Sequence, residues 1–297
     1  MATGRAYRGS DHDGDFTAVR DLLRRISQDS TSAPHFGWVR WEWAFALPCL
    51  DRSSLHRIGV WEDDGEVVGV ATYEDRLGDA FLLVDPGHRR LLPAMLDHAL
   101  DRLRGPQGVR VLIDDTDAEL QHLARDRGLV ATQADDRLAV LDLAGDLRYE
   151  VPAGYRISSL ADGVDLEQLD RLMHRGFHHP GEHTVTAEGL VWREHSISAP
   201  SGDRALSIVV EADDGSYAAY CGAWYRDGDR TAHVEPVCAD PDHRRRGCAR
   251  AAVLEAMTRC AARGAQSALV GSDQQFYYAL GFAPRYSATW WAAPARP

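Results

Sequence analysis

A run of arginines followed by a glycine gives residues 244–250 the composition of an anion-binding site. Three consecutive arginines, 244–246, precede Gly247, and Arg250 follows three residues later. Glycine lets a phosphate approach the backbone amides closely, and guanidinium groups add charge and paired N–H donors. These residue types favour a di- or polyphosphate ligand. A solvated charge cluster is the alternative, and a nucleic-acid surface is less favoured because no second basic stripe accompanies the run.

The flanking sequence predicts the elements that would position this site. The segment "AHVEPVCA" (232–239) is an apolar strand, and Pro241 lies in the turn after it. An amphipathic helix is predicted to begin near Cys248 and to end at Gly264. A helix N-terminus presents backbone N–H groups that have no acceptor within the helix. The order strand, turn, glycine, helix therefore directs the amides and the arginines toward one anion.

Two motifs in this order resemble the GNAT N-acetyltransferases. The segment "RRRGCA" (244–249) is similar to their diphosphate loop, which reads Arg or Gln, two residues, Gly, one residue, then Gly or Ala. About 30 residues later, "FYYALGF" (276–282) resembles the late helix of the family, with Tyr, three residues, Gly and Phe. The resemblance covers most of residues 150–297, and an internal repeat extends it in weaker form to 1–145.

The resemblance implies acetyl-CoA as the acyl donor and no metal. Backbone groups of the strand at Val237 and Ala239 would hold the pantetheine arm, and the amides of 245–249 would hold the diphosphate. Arg244 and Arg250 would add charge, although Arg250 could equally be a surface helix residue. The implied cofactor-binding residues are Val237, Cys238, Ala239, Arg244, Arg245, Arg246, Gly247, Cys248, Ala249 and Arg250.

Acetyl transfer to an amine also requires proton transfers, and two residues are predicted to perform them. An ordinary amine, with a pKa of about 10, must lose a proton, and the leaving thiolate benefits from a proton donor. Tyr277 matches the usual donor of the family, with Tyr278 as the fallback. Glu235 precedes Val237 by two residues, so strand alternation predicts a shared face. Its carboxylate would be the base, directly or through water, or would only anchor a cationic substrate.

The acceptor-lining residues are predicted from their place between the first two helices of the second half. The segment "HRGFHHPGEH" (174–183) supplies His178 and His179 as the preferred candidates, with a solvated loop as the alternative. Its histidines lack a recognised metal-ligand spacing, so no metal site is predicted. Trp290, near the chain end, would border the same pocket or merely pack.

The two halves of the chain follow one plan. The hairpin-like segment 62–74 resembles 212–226, and 84–96 resembles 239–254, in the same order and at a nearly constant offset. The seam lies near 145–154, where glycine and proline interrupt a polar stretch.

Each half is predicted to run strand, helix, helix, three strands, helix, strand, helix and final strand. The predicted fold class is α/β, with two tandem GNAT-like domains, 1–145 and 146–297. Each domain is expected to be a mixed, mainly antiparallel sheet flanked by helices.

The first half is predicted to lack cofactor binding and catalysis. Leu92 stands where the second half has Gly247, and Pro93 follows it. Ala124 stands at the position of Tyr277. The steric requirement for a phosphate and the proton donor are both missing, so 1–145 is expected to be a degenerate domain that shapes or supports the second.

Composition limits the compartment and the partners. The net charge is −12, which disfavours nucleic acid and anionic lipid as partners. No apolar run approaches the roughly 20 residues that span a bilayer, and the five cysteines form no C-x-x-C pair. We therefore expect a cytoplasmic protein with a small-molecule amine as its partner, without nucleic acid or membrane, as a monomer or homodimer.

The sequence as a whole predicts an acyltransferase enzyme, an acetyl-CoA-dependent N-acetyltransferase that acetylates a primary amine of a small molecule by direct attack. Another acyl-CoA, or a specialised acceptor such as an antibiotic amine or a mycothiol-type precursor, is an alternative. A non-catalytic CoA-binding sensor is a further alternative, against which the presence of Gly247 and Tyr277 argues.

Overall fold

The computed structural model describes residues 2–29 and 34–294, which form two compact units. The first unit contains the chain up to Arg137 together with the segment from Arg285 onward, and the second is Leu138–Pro284. This division differs from the predicted boundary at residue 145.

The first unit follows the predicted order of elements, which is confirmed. Its elements are β1 (Thr3–Ala6), α1 (Phe16–Asp29), α2 (Trp38–Ala46), β2 (Gly59–Asp63), β3 (Glu66–Thr72), β4 (Asp79–Val84), α3 (Leu92–Arg102), β5 (Arg110–Asp114) and α4 (Ala118–Asp126). Strand β6 (Val130–Asp142) follows them and continues into the second unit. Trp38, Trp41 and Phe45, which recur at helical spacing in α2, are buried in the core.

The second unit repeats this order. Its elements are β7 (Tyr155–Ser159), α5 (Leu166–Gly176), α6 (Ala187–Ser196), β8 (Ile208–Ala212), β9 (Tyr217–Trp224), β10 (Thr231–Ala239), α7 (Cys248–Ala262), β11 (Ser267–Val270) and α8 (Gln275–Tyr278). The last strand of the chain is β12 (Ala283–Ala292). Among the described residues, no helix combines the length and the apolar character needed to cross a bilayer.

The two sheets have the same pattern of strand directions. The first runs β1-β2-β3-β4-β5-β12 and the second β7-β8-β9-β10-β11-β6. Each sheet contains one parallel pair, β4/β5 in the first sheet and β10/β11 in the second. The other pairs within each sheet are antiparallel. The predicted mixed, mainly antiparallel α/β fold is confirmed.

Strand pairing explains why the units do not divide at residue 145. Leu141 and Asp142 of β6 pair with Ala268 and Ser267 of β11, which places the end of β6 in the second sheet. Residues 288–292 of β12 pair with β5, which returns the chain end to the first unit. The polar seam near 145–154 is a loop after β6 rather than the boundary between the compact units.

Helices cover both faces of the second sheet. Along β9, Ala219 and Cys221 contact the apolar cluster that contains α7, whereas Tyr220 between them contacts the cluster that contains α5. Alternate strand residues point to opposite faces, so this β-strand is buried on both sides. The two helices thereby fix the position of β10, which pairs with β9.

Candidate active site

The loop between β10 and α7 requires glycine at one position. Gly247 has φ +93° and lies at the N-cap of α7, so the predicted helix start at Cys248 is confirmed. A side chain there would be strained by that φ, although the nearest atom to an added Cβ, Pro152 Cγ, is 3.5 Å away. The first amides of α7 have no acceptor within the helix, and the glycine leaves them accessible.

Arg244 is held by the scaffold on which the loop is built. Its guanidinium donates to the carbonyl oxygens of Gly176, at 3.0 Å, and Ala239, at 3.2 Å. It also donates to His178 Nε2 at 2.9 Å. Three contacts from one side chain therefore join the end of α5 to the end of β10.

The other arginines of this region make fewer contacts within the protein than Arg244 does. Arg245 and Arg246 are exposed, and within the described chain neither lies at ion-pair distance from a carboxylate. Arg250, one turn into α7, donates to the carbonyl oxygen of Ala279 at 3.3 Å. The loop thus presents two positive charges, those of Arg245 and Arg246, that no anion of the described residues neutralises.

The buried carboxylate of Asp240 connects the start of the loop to α5 through hydrogen bonds. The Asp240 side chain is 2% exposed and accepts hydrogen bonds from Arg175 Nε (2.7 Å) and Nη2 (3.0 Å). It also accepts from the Asp242 amide at 2.9 Å. Burial alone would raise the pKa of Asp240, but the hydrogen bonds from Arg175 and Asp242 outweigh it, so this pKa lies below its ordinary value.

The substitution Asp240→Asn is expected to lower the free energy of unfolding by about 2 kcal/mol at neutral pH, because a buried charge-assisted pair is broken. Since the folded-state pKa of Asp240 is lowered, its contribution is present above the ordinary aspartate pKa of about 3.9 and is lost as pH falls through the lower folded value. Urea unfolding of wild type and variant at decreasing pH measures this.

The matched control is Asp227→Asn, which removes an exposed partner of Arg263. It should change the free energy of unfolding by less than about 0.5 kcal/mol. Equal losses in the two variants would contradict the role given to Asp240.

The strand that leads to the loop has an open edge. The parallel pairing of β10 with β11 ends at His233, opposite Leu269. Beyond it, the register of β10 against β9 shifts between Val234 and Val237. Gly222 of β9 faces this bulge, where an added Cβ would lie 2.5 Å from the Glu235 carbonyl oxygen. An unpaired strand edge offers N–H and C=O groups to an extended ligand.

A cleft of about 700 Å³ connects the open strand edge with the start of α7. Most of the predicted cofactor-binding residues line it, namely Val237, Cys238, Ala239, Arg244, Arg245, Gly247, Cys248, Ala249 and Arg250. Arg246 is not among the lining residues. Burial raises the pKa of the Cys248 thiol and that of Cys238, the latter to about 12, so both are protonated at neutral pH.

Tyr277 reaches the cleft from α8 and is 8% exposed. Its ring packs edge-on against Phe276, with centroids 5.0 Å apart, and against Phe282, at 5.7 Å. Burial, followed by the proximity of Cys221, Glu235 and Cys238, raises the pKa of its phenol well above the ordinary value. The hydroxyl is therefore held in its protonated form. Tyr278 does not line the cleft.

Glu235 lies within the bulge of β10. Its carbonyl oxygen accepts a hydrogen bond from Trp224 Nε1 at 2.8 Å, and its carboxylate is close enough to contribute to the raised pKa of Tyr277. The predicted face shared with Val237 rested on simple alternation, which does not hold across a register shift. Val234 and Val237, three residues apart, pack on the same core cluster. Glu235 is not among the cleft-lining residues.

The three predicted acceptor residues lie in different places. His178 has φ +57° and lines the cleft beside Arg244. His179 does not line it, and its ring lies 5.7 Å from that of His174. Trp290 packs in the first unit instead.

Trp290 belongs to the core of the first unit through its strand. It pairs with Leu112 of β5, packs edge-on against Phe81 at 5.4 Å, and lies beneath the Arg110 guanidinium at 4.3 Å. Sequence position alone grouped it with the second half, whereas pairing of β12 determines its surroundings.

Several residues of the site were not identified from the sequence. Phe177 lines the cleft while 47% exposed, and Gly176 lets α5 approach β10 so closely that an added Cβ would meet Cys238 Cβ at 2.8 Å. The pair of Arg175 and Asp240 was also missed. An aspartate at the end of an apolar strand was the available signal, but its partner lies 65 positions earlier in the chain.

In the equivalent loop of the first unit, the arginines form ion pairs with carboxylates of the same unit. Arg89 donates to Asp117 at 2.6 Å and to Glu119 at 2.7 Å. Arg90 donates to Asp63 at 3.2 Å. Carboxylates therefore neutralise the arginines of the first loop, whereas Arg245 and Arg246 of the second loop have no such partners among the described residues.

The start of α3 also differs from that of α7. Leu92, the first residue of α3, is 1% exposed, and Pro93 lacks an N–H donor. Ala124, at the position of Tyr277, is fully buried.

Comparison with known proteins agrees with this architecture. Residues 166–282 match the model of the acetyltransferase (GNAT) family. A mycothiol acetyltransferase of Nocardiopsis dassonvillei is 29% identical over 222 residues, which cover 65% of this chain and 66% of that protein. The match therefore spans just under two thirds of that relative.

Two solved structures illustrate the fold. A tandem GNAT protein from the clavulanic acid biosynthesis pathway superimposes with a TM-score of 0.64 at 18% identity, covering 100% of this chain and 99% of that one. The Saccharomyces cerevisiae N-myristoyltransferase with bound myristoyl-CoA gives a TM-score of 0.56 at 12% identity, covering 98% of this chain and 77% of that one.

Proposed function

Because residues 166–282 carry a GNAT acetyltransferase domain and the fold is that of a tandem member, we propose that this transferase moves the acetyl group of acetyl-CoA directly to a primary amine of a small molecule. One observation carries the proposal. A single cleft joins the open edge of β10 to a helix N-terminus capped by Gly247, beside which Arg245 and Arg246 have no carboxylate at ion-pair distance among residues 2–29 and 34–294.

The diphosphate of the donor fits the start of α7. Its amides have no intrahelical acceptor, and the macrodipole of α7 favours negative charge at this end. Arg245 supplies a guanidinium from the cleft lining, and Arg244 keeps the loop in place through the end of α5. The amide of Cys248, rather than its buried thiol, would contact the ligand.

The pantetheine arm fits the open edge of β10. Between Val237 and Ala239 the strand pairs with β9 on one side only, so groups on the other side are available to an extended chain. Bound acetyl-CoA supplies the reactive thioester. The register shift of β10 ends at Val237, which lines the cleft, and backbone N–H donors next to it would stabilise the acetyl carbonyl oxygen.

The chain supplies groups for both proton transfers. As the amine nitrogen bonds to the acetyl carbon and the carbon–sulfur bond breaks, Tyr277 donates its hydroxyl proton to the leaving sulfur. The proton of the amine passes through water to Glu235, which does not itself line the cleft, and Tyr277 is then reprotonated from solvent. The raised pKa of Tyr277 keeps the proton in place before the reaction.

The first unit is proposed to be a degenerate domain that binds no CoA. The internal pairing of Arg89 and the burial of Leu92 support this. A second candidate keeps the chemistry but takes a specialised acceptor, the amine of a mycothiol-type precursor. It is favoured by the 29% identity to a mycothiol acetyltransferase.

Calorimetry with acetyl-CoA tests the donor site. We expect one molecule to bind per chain. The double variant Arg245→Gln/Arg246→Gln should weaken binding about tenfold through lost charge, less at high salt. The double variant Arg89→Gln/Arg90→Gln, which removes both arginines of the first loop, is the matched control and should leave affinity and stoichiometry unchanged. No binding by wild type, or equal effects of the two variants, would contradict the assignment.

An acceptor screen that follows loss of the acetyl-CoA thioester tests the reaction, because thiols in the acceptors do not disturb this readout. The panel contains simple primary amines, aminoglycoside-type amines and a mycothiol-type precursor amine, with hydroxyl analogues of each as controls. Loss of the thioester that depends on the amine supports N-acetylation. Loss only with the mycothiol-type precursor selects the second candidate, and no loss with any of them contradicts both.

A further inference from the structure

A second cavity lies within the first unit, where its parallel strands separate. The pairing of β4 with β5 covers only Asp79 and Ala80 of β4, and a space of about 210 Å³ opens beyond it. Its walls are largely apolar, with Phe81, Leu83 and Leu112 among the lining residues. The cavity is topologically equivalent to the cleft of the second unit, but it is smaller and closed at the end where a diphosphate would bind.

The closed end excludes CoA as the occupant. Arg89 and Asp117, which line the cavity, bond to each other at 2.6 Å, and Leu92 is buried beside them. A diphosphate would have to displace the carboxylates of Asp117 and Glu119 from Arg89. A ligand of this cavity is therefore compact and lacks a charged tail.

His35 lines the cavity with an imidazole whose nitrogens accept or donate no hydrogen bond to the described residues. Its side chain is 6% exposed and lines the cavity. Both ring nitrogens are buried without a hydrogen-bond partner among residues 2–29 and 34–294, and Nδ1 is the one that faces Asp136 Oδ1, at 3.5 Å. A buried polar atom without a partner is costly and uncommon, so its position in a cavity points to an absent ligand.

The surroundings of His35 determine what that ligand must offer. Burial alone would raise the pKa of Asp136, but the contact with His35 and the charge of Arg40 outweigh it, and the pKa is lowered. Because the Asp136 carboxylate lies 3.5 Å from Nδ1, a neutral imidazole at this position carries its proton on Nδ1. Nε2 then carries the lone pair, and it requires a donor such as a hydroxyl or amino group.

The neighbouring aromatic wall is rigid. Phe36 and Phe81 stack with centroids 4.5 Å apart, and the Arg40 guanidinium lies 5.1 Å above Phe81. Arg40 is itself fixed by two hydrogen bonds to Glu74, at 2.6 and 2.7 Å. A preformed apolar wall suits a flat ring.

We propose that this cavity is a binding site for a neutral, single-ring molecule that donates one hydroxyl or amino hydrogen to His35 Nε2. The size supports this class, since an apolar cavity of about 150 Å³ holds benzene, and about 210 Å³ leaves room for a substituent.

The test compares phenol with toluene, two probes of similar size that differ in the hydrogen-bond donor. Ligand-observed NMR and titration calorimetry are applied to the full chain. In wild type, phenol should bind more tightly than toluene. His35→Phe keeps the apolar volume but removes the acceptor, so phenol binding should weaken about tenfold while toluene binding stays the same.

Two further variants complete the experiment. His122→Phe changes a histidine of the same unit that is 73% exposed and should have no effect. Leu83→Trp fills the cavity from β4 and should abolish binding of both probes. The proposal is overturned if neither probe binds wild type, if His35→Phe and Leu83→Trp leave phenol binding unchanged, or if acetyl-CoA displaces phenol with two molecules bound per chain.

Discussion

Replacement of Gly247 by alanine is expected to weaken acetyl-CoA binding about 100-fold, with the fold intact, through the loss of two charge-assisted hydrogen bonds. Gly247 has φ +93°, and alanine there costs roughly 1–2 kcal/mol or shifts the backbone of the loop. Its methyl group would also stand beside the amides that a diphosphate must approach. The protein itself has room for it, because the nearest atom, Pro152 Cγ, is 3.5 Å away.

The other end of α7 offers a matched control. Gly264 has φ +106°, and an added Cβ would lie 3.5 Å from Tyr225 Oη. Gly264→Ala should therefore lower stability by a similar amount without changing the affinity for acetyl-CoA. Calorimetry and urea unfolding of both variants separate the two effects. Unchanged affinity in Gly247→Ala, or equal weakening in Gly264→Ala, would remove the diphosphate from this loop.

The order of elements was predictable because its signals are local. Apolar residues at helical spacing predicted α7, and Gly264, with φ +106°, follows its last residue by two positions. An acidic glycine turn predicted the hairpin of β2 and β3, where Asp64 and Gly65 both have positive φ. Each of these features depends on residues within one or two turns of the chain, so a sequence reading can detect it.

Strand partners were not predictable in the same way. Nothing in the composition of β12 indicates that Trp290 pairs with Leu112 of β5, which lies more than half the chain length earlier. A long strand such as β6 has a local pattern that fits either sheet. Pairing is decided by which edge is open in the folded units, and the boundary predicted from the polar seam therefore differs from the observed division.

The residues of the candidate site also differ in whether local sequence or distant residues determine their positions. The loop motif gave Gly247 and the residues around it because they are consecutive. The bulge at Glu235 depends on Gly222 of the neighbouring strand, and the support of the loop depends on Arg175, far earlier in the chain. The alternation argument for Glu235 failed for this reason.

The two loops show that residue type alone does not define an anion site. Arg90 and Arg245 occupy equivalent places, since Leu92 aligns with Gly247, but Arg90 already has Asp63 as a partner, while Arg245 has no carboxylate at ion-pair distance within the described chain. The difference that the sequence did reveal was Leu92 against Gly247. The glycine, rather than the arginines, distinguishes the loop that we propose binds a cofactor.

Tyr277→Phe is expected to lower kcat by about 100- to 1,000-fold, within the range for removal of a general acid. The KM for acetyl-CoA should change little, because the phenylalanine ring keeps the packing against Phe276 and Phe282. Since burial raises the pKa of Tyr277, the phenol is protonated throughout the range from about pH 6 to about pH 9. The loss should therefore be the same at each pH across this range.

Tyr278→Phe is the matched control, because Tyr278 is next to Tyr277 in α8 but does not line the cleft. Steady-state kinetics of thiol release with the best amine of the screen would compare both variants with wild type. If kcat of Tyr277→Phe stayed within twofold of wild type, Tyr277 would not be the proton donor. If only Tyr278→Phe lost activity, the donor would be Tyr278, and α8 would have to present its other face to the thioester during the reaction.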